Sequence, residues 1–273
     1  MSEYTSRANE AVKAVLIEIG QVLASYKDAL VLVGGIVPGL LLPDADPPHL
    51  GTIDIDLMLN PEKLEDRYAT VVKLLQDAGY NLNEPDPTTF QLYKDVTVDD
   101  GPAIRIVVDL LRPAGKLKKR KSKLVRDLRV QEINEGRVAL EHFQTITIEG
   151  YDPIKRPNKV ELQITTLPGL LVLKGDALNS RGKDKDAYDI YYAVRNYPGG
   201  PVILAEACQP LLKEFKTSFE HIAQRWKTYD DYGPMTVRQF LEVYPDMGDL
   251  RGEELQRDAF EQVRAWLDAL GNL

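Results

Sequence analysis

The feature that most constrains the fold is an apolar run ending in two glycines, followed by a second apolar run that two acids interrupt. The runs occupy residues 32–35 (LVGG) and 52–57 (TIDIDL). The first predicts a buried strand that turns sharply into a helix. Side chains alternate along a strand, so Asp54 and Asp56 share one face of the second run. Neighbouring carboxylates repel unless a cation lies between them, which predicts a metal site beside a glycine turn.

A third acid, Asp109, lies near the end of the apolar segment 104–110 (IRIVVDL). If this strand lies beside the strand of Asp54 and Asp56, three carboxylates converge. Oxygen ligands of this kind suit Mg²⁺, and two such ions stabilise the attacking and leaving oxygens of a phosphoryl displacement. We therefore predict that Asp54, Asp56 and Asp109 bind two Mg²⁺ ions, with Mn²⁺ as an alternative. The other interpretation is that the acids only cap turns at strand ends.

The glycine pair, Gly34 and Gly35, has two interpretations. The backbone N–H groups of the turn and the following helix can bind phosphate, or the glycines can form a tight turn without a ligand. The spacing matches neither the dinucleotide-binding motif nor the P-loop.

The chain of 273 residues is long enough for one α/β domain and an appended one. We predict a mixed α/β domain over residues 1–165 and a helical domain over residues 166–273. No apolar run is long enough to span a bilayer and no signal peptide is evident, so the predicted location is the cytoplasm, with no membrane partner. The predicted helices cover residues 9–26, 36–42, 61–79, 167–179, 184–195, 201–213, 218–226, 236–243 and 252–270, and the predicted strands cover 29–33, 53–59, 89–93, 103–111, 145–149 and 159–165.

Charge is unevenly distributed along the chain. The net charge of −8 argues against a protein that coats nucleic acid along its whole surface. Residues 115–129, in contrast, contain eight basic residues and one acid. This run fits a phosphate-binding segment and a solvated loop or helix face equally well.

A second charged cluster spans residues 174–189. Lys174 ends an apolar helical stretch, and Asp186 and Asp189, three residues apart, share one face of the next helix. Charge alone would make this an exposed loop between helices. The three histidines, His49, His142 and His221, are scattered and are interpreted as surface or packing residues.

Taken together, the glycine pair, the acids at 54, 56 and 109, and the later string from 174 to 189 resemble a known family. The first part is similar to the nucleotidyltransferase superfamily of the DNA polymerase β type. The pattern K-x-x-A-x-x-x-R-x-x-x-K-D-x-x-D over residues 174–189 resembles the AbiEii/MenT toxin group. The resemblance implies an α+β fold, with a minimal nucleotidyltransferase mixed sheet flanked by helices and a C-terminal helical domain.

The resemblance also implies an activity: Mg²⁺-dependent transfer of a nucleoside monophosphate from an NTP to a hydroxyl, often at a tRNA 3′ end. It suggests the toxin of a toxin–antitoxin pair, with an antitoxin protein as partner.

Residue roles follow from the same resemblance. Asp54 and Asp56 would hold the metal ions and the triphosphate, and Asp109 would be the third carboxylate or the base near the attacking hydroxyl. Lys174 would neutralise the triphosphate tail, and Asp186 would orient the substrate. The remaining residues implied in NTP binding are Gly34, Gly35, Thr52, Arg181 and Asp189.

The sequence departs from the family pattern just after the glycines, where Ile36 replaces the common Ser or Thr. The toxin group often has a basic residue shortly before Thr52, whereas Leu50 and Gly51 precede it here. Three alternatives therefore stay open: a non-catalytic nucleotide- or protein-binding module, a metal-dependent nuclease, and modification of a protein hydroxyl.

Overall fold

The computed structural model describes residues 6–64, 67–82, 91–114, 130–244 and 250–271. The basic run at 115–129 lies outside these residues, so both of its interpretations stay predictions.

The centre of the fold is an eight-stranded mixed sheet with the order β3-β4-β5-β2-β1-β8-β7, in which β6 also pairs with β5. The parallel pairs are β2 with β5, β1 with β8 and β5 with β6; the remaining pairs are antiparallel. The strands are β1 (Leu30–Val33), β2 (Asp54–Leu59), β3 (Asn81–Leu82), β4 (Gln91–Val96), β5 (Ile104–Pro113), β6 (Gln131–Ile133), β7 (Phe143–Tyr151) and β8 (Pro157–Thr165).

Helices alternate with the strands along the first part of the chain, and every element after β8 is a helix in the part of the chain that the structure describes. The α+β class expected from the sequence is confirmed. The helices are α1 (Ser6–Val22), α2 (Val37–Leu41), α3 (Pro61–Leu64), α4 (Tyr68–Asp77), α5 (Arg137–Glu141), α6 (Leu167–Ser180), α7 (Asp184–Arg195), α8 (Gly200–Arg225), α9 (Tyr232–Glu242) and α10 (Gly252–Leu270).

Helix α8 differs from the prediction of two helices over 201–213 and 218–226. The structure has one element from Gly200 to Arg225 in which Phe215 has non-helical backbone angles. Phe215 is buried, so the chain keeps its apolar face through the irregular residue and continues as a helix. The predicted break is therefore a local kink.

The chain divides into two compact units. The first contains Met1–Ile36 and Gly51–Thr166 and includes the whole sheet; the second contains Val37–Leu50 and Leu167–Leu273. Residues 37–50 thus group with the C-terminal helices, although they precede β2 in the chain. Whether the units fold as separate domains, as the sequence predicts, stays a prediction.

Each unit has its own core. In the sheet unit, all four residues of β1 are buried, and Gly20 of α1 lies against Val160 of β8. In the helical unit, α6 approaches α8 so closely that a Cβ on Gly175 would collide with the backbone oxygen of Ser218. Trp226 and Trp266 are fully buried.

Candidate active site

Strand register brings the three acids of the sheet unit to one face. Strands β2 and β5 run parallel, with Asp56 paired to Asp109 and Asp54 paired to Val107. Paired residues on neighbouring strands point to the same face, and Asp54 lies two residues before Asp56. The buried residues Ile55 and Val108 alternate with the acids and face the other side.

The three acids differ in their exposure. Asp54 is exposed, whereas Asp56 and Asp109 are half-buried. Among the residues that the structure describes, no three side chains of His, Cys, Asp or Glu form a cluster suited to a metal ion. The strand register thus places the acids on one face of the sheet.

Gly34 forms the bend beside these acids. Strand β1 ends at Val33, which pairs with Asp56, and a short 3-10 turn over Gly34–Ile36 leads into α2. Gly34 has a φ of +76°, and a Cβ there would collide with Oδ2 of Asp56. Residue 34 must therefore be glycine for two reasons: its φ is positive, and the Asp56 carboxylate occupies the space that a Cβ would need. The predicted strand, glycine turn and helix are confirmed.

The residues around this bend have different surroundings. Gly35 is half-buried within the turn, and the side chain of Ile36 is buried. Thr52 is also buried, and its Oγ1 accepts a hydrogen bond of 3.1 Å from the backbone N–H of Asp54. The Thr52 hydroxyl therefore helps to fix the start of β2.

The helical unit contains a second group of charges, here called the Lys174 cluster: Lys174, Arg181, Lys185, Asp186, Asp189 and His49. The Nζ of Lys174 lies 2.7 Å from Oδ1 of Asp186 and 2.5 Å from Oδ2 of Asp189. Arg181 contacts both oxygens of Asp186, at 2.9 and 3.0 Å. Lys185 contacts Asp189 at 3.0 Å.

Most of this cluster is sealed from solvent. The side chains of Asp186, Asp189 and Lys174 are at most 6% exposed, whereas that of Arg181 is 48% exposed. The alternative interpretation, an exposed charged loop between helices, is wrong for these three residues, because their side chains are buried within the helical unit.

Burial and pairing shift the pKa values of the cluster. Burial opposes the charge of Lys174, but Asp189 and Asp186 outweigh it and raise its pKa above the usual value. Burial likewise opposes the charge of Asp189, but Lys174, Lys185 and His49 outweigh it and lower its pKa. The pKa of Asp186 is lowered too, since Lys174 and Arg181 outweigh its burial. These charges therefore stabilise one another over the whole physiological pH range.

His49 is the member of the cluster that the sequence did not identify. Its side chain is fully buried, and Nε2 donates a hydrogen bond of 3.0 Å to Oδ1 of Asp189. Burial lowers the pKa of His49 to about 4, and the nearby cations Lys185 and Lys174 act in the same direction. His49 is thus neutral at physiological pH, with its proton on Nε2 because the carboxylate can only accept.

Two tyrosines of α7 complete the surroundings of His49. Tyr188 stacks on the imidazole at a centroid distance of 5.0 Å, and its hydroxyl accepts a hydrogen bond from the N–H of Leu50. Tyr192 meets the same ring edge-on, and its hydroxyl donates to the carbonyl of Pro47. Three successive contacts therefore fasten the segment 47–50 to α7.

Comparison with known proteins identifies the family of the chain. The family model described as nucleotidyl transferase AbiEii toxin, type IV TA system, matches residues 20–268. The chain is also similar to the crystal structure of an antigenic nucleotidyltransferase-like protein from Paracoccidioides brasiliensis, with 15% identity, 93% of each chain covered and a TM-score of 0.46. No curated protein matches the sequence.

The family match shows that the chain is a nucleotidyltransferase. The chain belongs to the AbiEii nucleotidyltransferase toxin family of type IV toxin–antitoxin systems. Membership implies an NTP as substrate and an antitoxin as partner. No helix in the described ranges is both long and apolar enough to cross a membrane.

Proposed function

We propose that this nucleotidyltransferase transfers a nucleoside monophosphate from an NTP to a hydroxyl of RNA, with a tRNA 3′ end as the acceptor. The observation that supports it most is the register of Asp56 with Asp109 beside the Gly34 bend. The choice of RNA rests on the resemblance of residues 174–189 to the toxin group.

The acids of the sheet unit suit a divalent cation. Carboxylate oxygens are the ligands that Mg²⁺ prefers, and Asp54, Asp56 and Asp109 supply them from one face. We propose that these residues hold Mg²⁺, which would neutralise charge that develops on the phosphates.

In the proposed reaction, the acceptor oxygen forms a bond to the α-phosphorus while the α–β phosphoanhydride bond breaks and pyrophosphate leaves. Asp109 accepts the proton of the attacking hydroxyl. Positioning and charge neutralisation provide most of the catalysis in such a displacement.

The Lys174 cluster suggests a division of roles that refines the family expectation. Lys174 already lies between two carboxylates, so its charge is compensated within the protein. Arg181 is half exposed and is held by Asp186 through both of its oxygens. We propose Arg181, the half-exposed cation of this cluster, as a phosphate-binding residue of the helical unit. Lys174, Asp186 and Asp189 act as its positioning residues.

The decisive experiment incubates the protein with total RNA, Mg²⁺ and each α-³²P-labelled NTP. Label should enter a defined RNA of tRNA size, and Asp56→Asn should abolish it. Label in a protein band would instead indicate a protein acceptor. Shortening of RNA without NTP would indicate a nuclease and contradict the proposal.

A further inference from the structure

Strand β7 forms the outer edge of the sheet. All nine of its residues pair with β8 on one side, and no other described strand pairs with it. An edge strand presents backbone N–H and C=O groups to which another strand can bond. Proline or lysine commonly protects such edges, but the sequence of β7, FQTITIEGY, contains neither.

The two faces of β7 have different surroundings. One face is directed toward α1, where Ile17 and Lys13 approach Gly150. The other face is open to solvent, and its aromatic residues Phe143 and Tyr151 are 36% and 62% exposed. The exposed residues of this second face are Phe143, Thr145, Thr147, Glu149 and Tyr151.

The sequence of β7 is complementary to itself in the antiparallel direction. A two-fold axis through Thr147 pairs all nine residues, which shifted registers do not. It places Phe143 opposite Tyr151 twice and Ile146 opposite Ile148 twice, and aromatic and β-branched pairs of this kind stabilise antiparallel strands. Its one charged residue, Glu149, faces Thr145, so no like charges oppose each other.

We propose that β7 pairs with β7 of a second copy of this chain about a two-fold axis at Thr147, joining two sheets into one. A second copy fits better than an unrelated peptide, because a single register pairs all nine residues of β7. The two-fold symmetry also makes each favourable side-chain pair occur twice. Two-fold dimers are also the commonest symmetric assemblies. The proposal is independent of the catalytic roles assigned above.

The first test is the mass of the full chain in solution. Light scattering coupled to size exclusion should give about twice the monomer mass of 30.7 kDa at micromolar concentration. A monomer mass over the accessible concentration range overturns the proposal.

Cysteine cross-linking tests the register. Directly opposite residues of antiparallel strands have Cα atoms about 4.5–5.5 Å apart, within the range of a disulfide. Thr147→Cys should therefore form a covalent dimer under mild oxidation, whereas Cys208 is buried. Thr145→Cys is the matched control, since the two copies of residue 145 would lie about 13 Å apart. Equal cross-linking of both variants contradicts the register.

Charge substitutions at Thr147, on the two-fold axis, distinguish loss of the interface from misfolding. Thr147→Lys places two ammonium groups opposite each other, so this variant should be monomeric, as should Thr147→Glu. A mixture of the two variants should regain the dimer mass, because residue 147 faces itself. Thr70→Lys changes an exposed threonine of α4 in the same way and should remain dimeric. If the wild type is a dimer but the mixture stays monomeric, the interface does not lie at β7 and the proposal is wrong.

Discussion

The carboxylates of the sheet and those of the Lys174 cluster differ in their surroundings: the first are partly exposed to solvent, and the second are buried beside cations. Asp54, Asp56 and Asp109 share a face of the sheet with partial exposure to solvent. Asp186 and Asp189 are sealed, with cations at 2.5–3.0 Å. Buried charges of the second kind hold structure only while every partner is present. We therefore expect substitutions to affect mainly activity in the sheet and mainly stability in the cluster.

The largest expected effect is on the sheet side of this comparison. Asp56→Asn keeps the shape of the side chain and removes its charge, so NTP transfer should fall by about 1000-fold, corresponding to about 4 kcal/mol of transition-state stabilisation. The melting temperature should change little. Asp77→Asn, an exposed acid of α4, serves as the control and should leave transfer unchanged. A large loss of stability in Asp56→Asn would remove the distinction between the two regions.

On the cluster side, Lys174→Ala leaves two buried carboxylates without their shared cation. The free energy of unfolding should fall by about 3–5 kcal/mol, measured by urea denaturation. Lys73→Ala removes an exposed partner of Asp77 and should cost less than about 1 kcal/mol. Similar effects of both variants would show that the cluster is not held together by its charges.

Gly34 sharpens the comparison, because its substitution should affect both stability and activity. Gly34→Ala introduces a side chain at a φ of +76° and forces the carboxylate of Asp56 to move. We expect a loss of about 1–2 kcal/mol from the backbone alone, together with loss of transfer. Gly79→Ala is the matched control, since Gly79 has a φ of +89° and open space around it. It should lose stability without losing transfer.

The smallest expected effect is the pH dependence of stability caused by His49. Its pKa is about 4 in the folded protein and 6.5 when unfolded, so the unfolded state binds the proton more tightly. The contribution of His49 is complete above pH 6.5 and declines as the pH falls toward 4. Between pH 7 and pH 5 the loss should be about 2 kcal/mol.

His49→Gln isolates this effect, because glutamine keeps a donor for Asp189 and does not titrate. Urea denaturation of both proteins at pH 7 and pH 5 should show a smaller decline in the variant. If the free energy of unfolding falls equally in the wild type and the variant, groups other than His49 cause the pH dependence.

Local patterns predicted much of the fold. Strong helical periodicity gave α7 and α10 with the bounds that the structure has. The alternation of acids with Ile55 and Leu57 predicted β2 and the face shared by Asp54 and Asp56. The pairing of β2 with β5 was a conjecture from the sequence, because register between distant strands depends on the whole sheet.

The sequence could not predict the position of His49. Its partner, Asp189, lies 140 residues further along the chain, and no spacing pattern connects them. The burial of Lys174 could not be predicted from the sequence either, since the ammonium group of a lysine on a helix normally reaches solvent. Both groups meet Asp189 of α7 only after the chain has folded, when α6 and residues 47–50 pack against that helix.

The fastening of residues 47–50 to α7 has a consequence for how the protein can be divided. The chain passes between the two units three times, after Ile36, after Leu50 and after Thr166. A fragment that stops at Thr166 would carry residues 37–50 without the helices that cover Val37, His49 and Leu50. Proteolysis at that single junction would accordingly leave the two pieces associated, because residues 37–50 stay packed in the helical unit. A separately expressed fragment that begins at Leu167 would lack residues 37–50, which are part of its own interior.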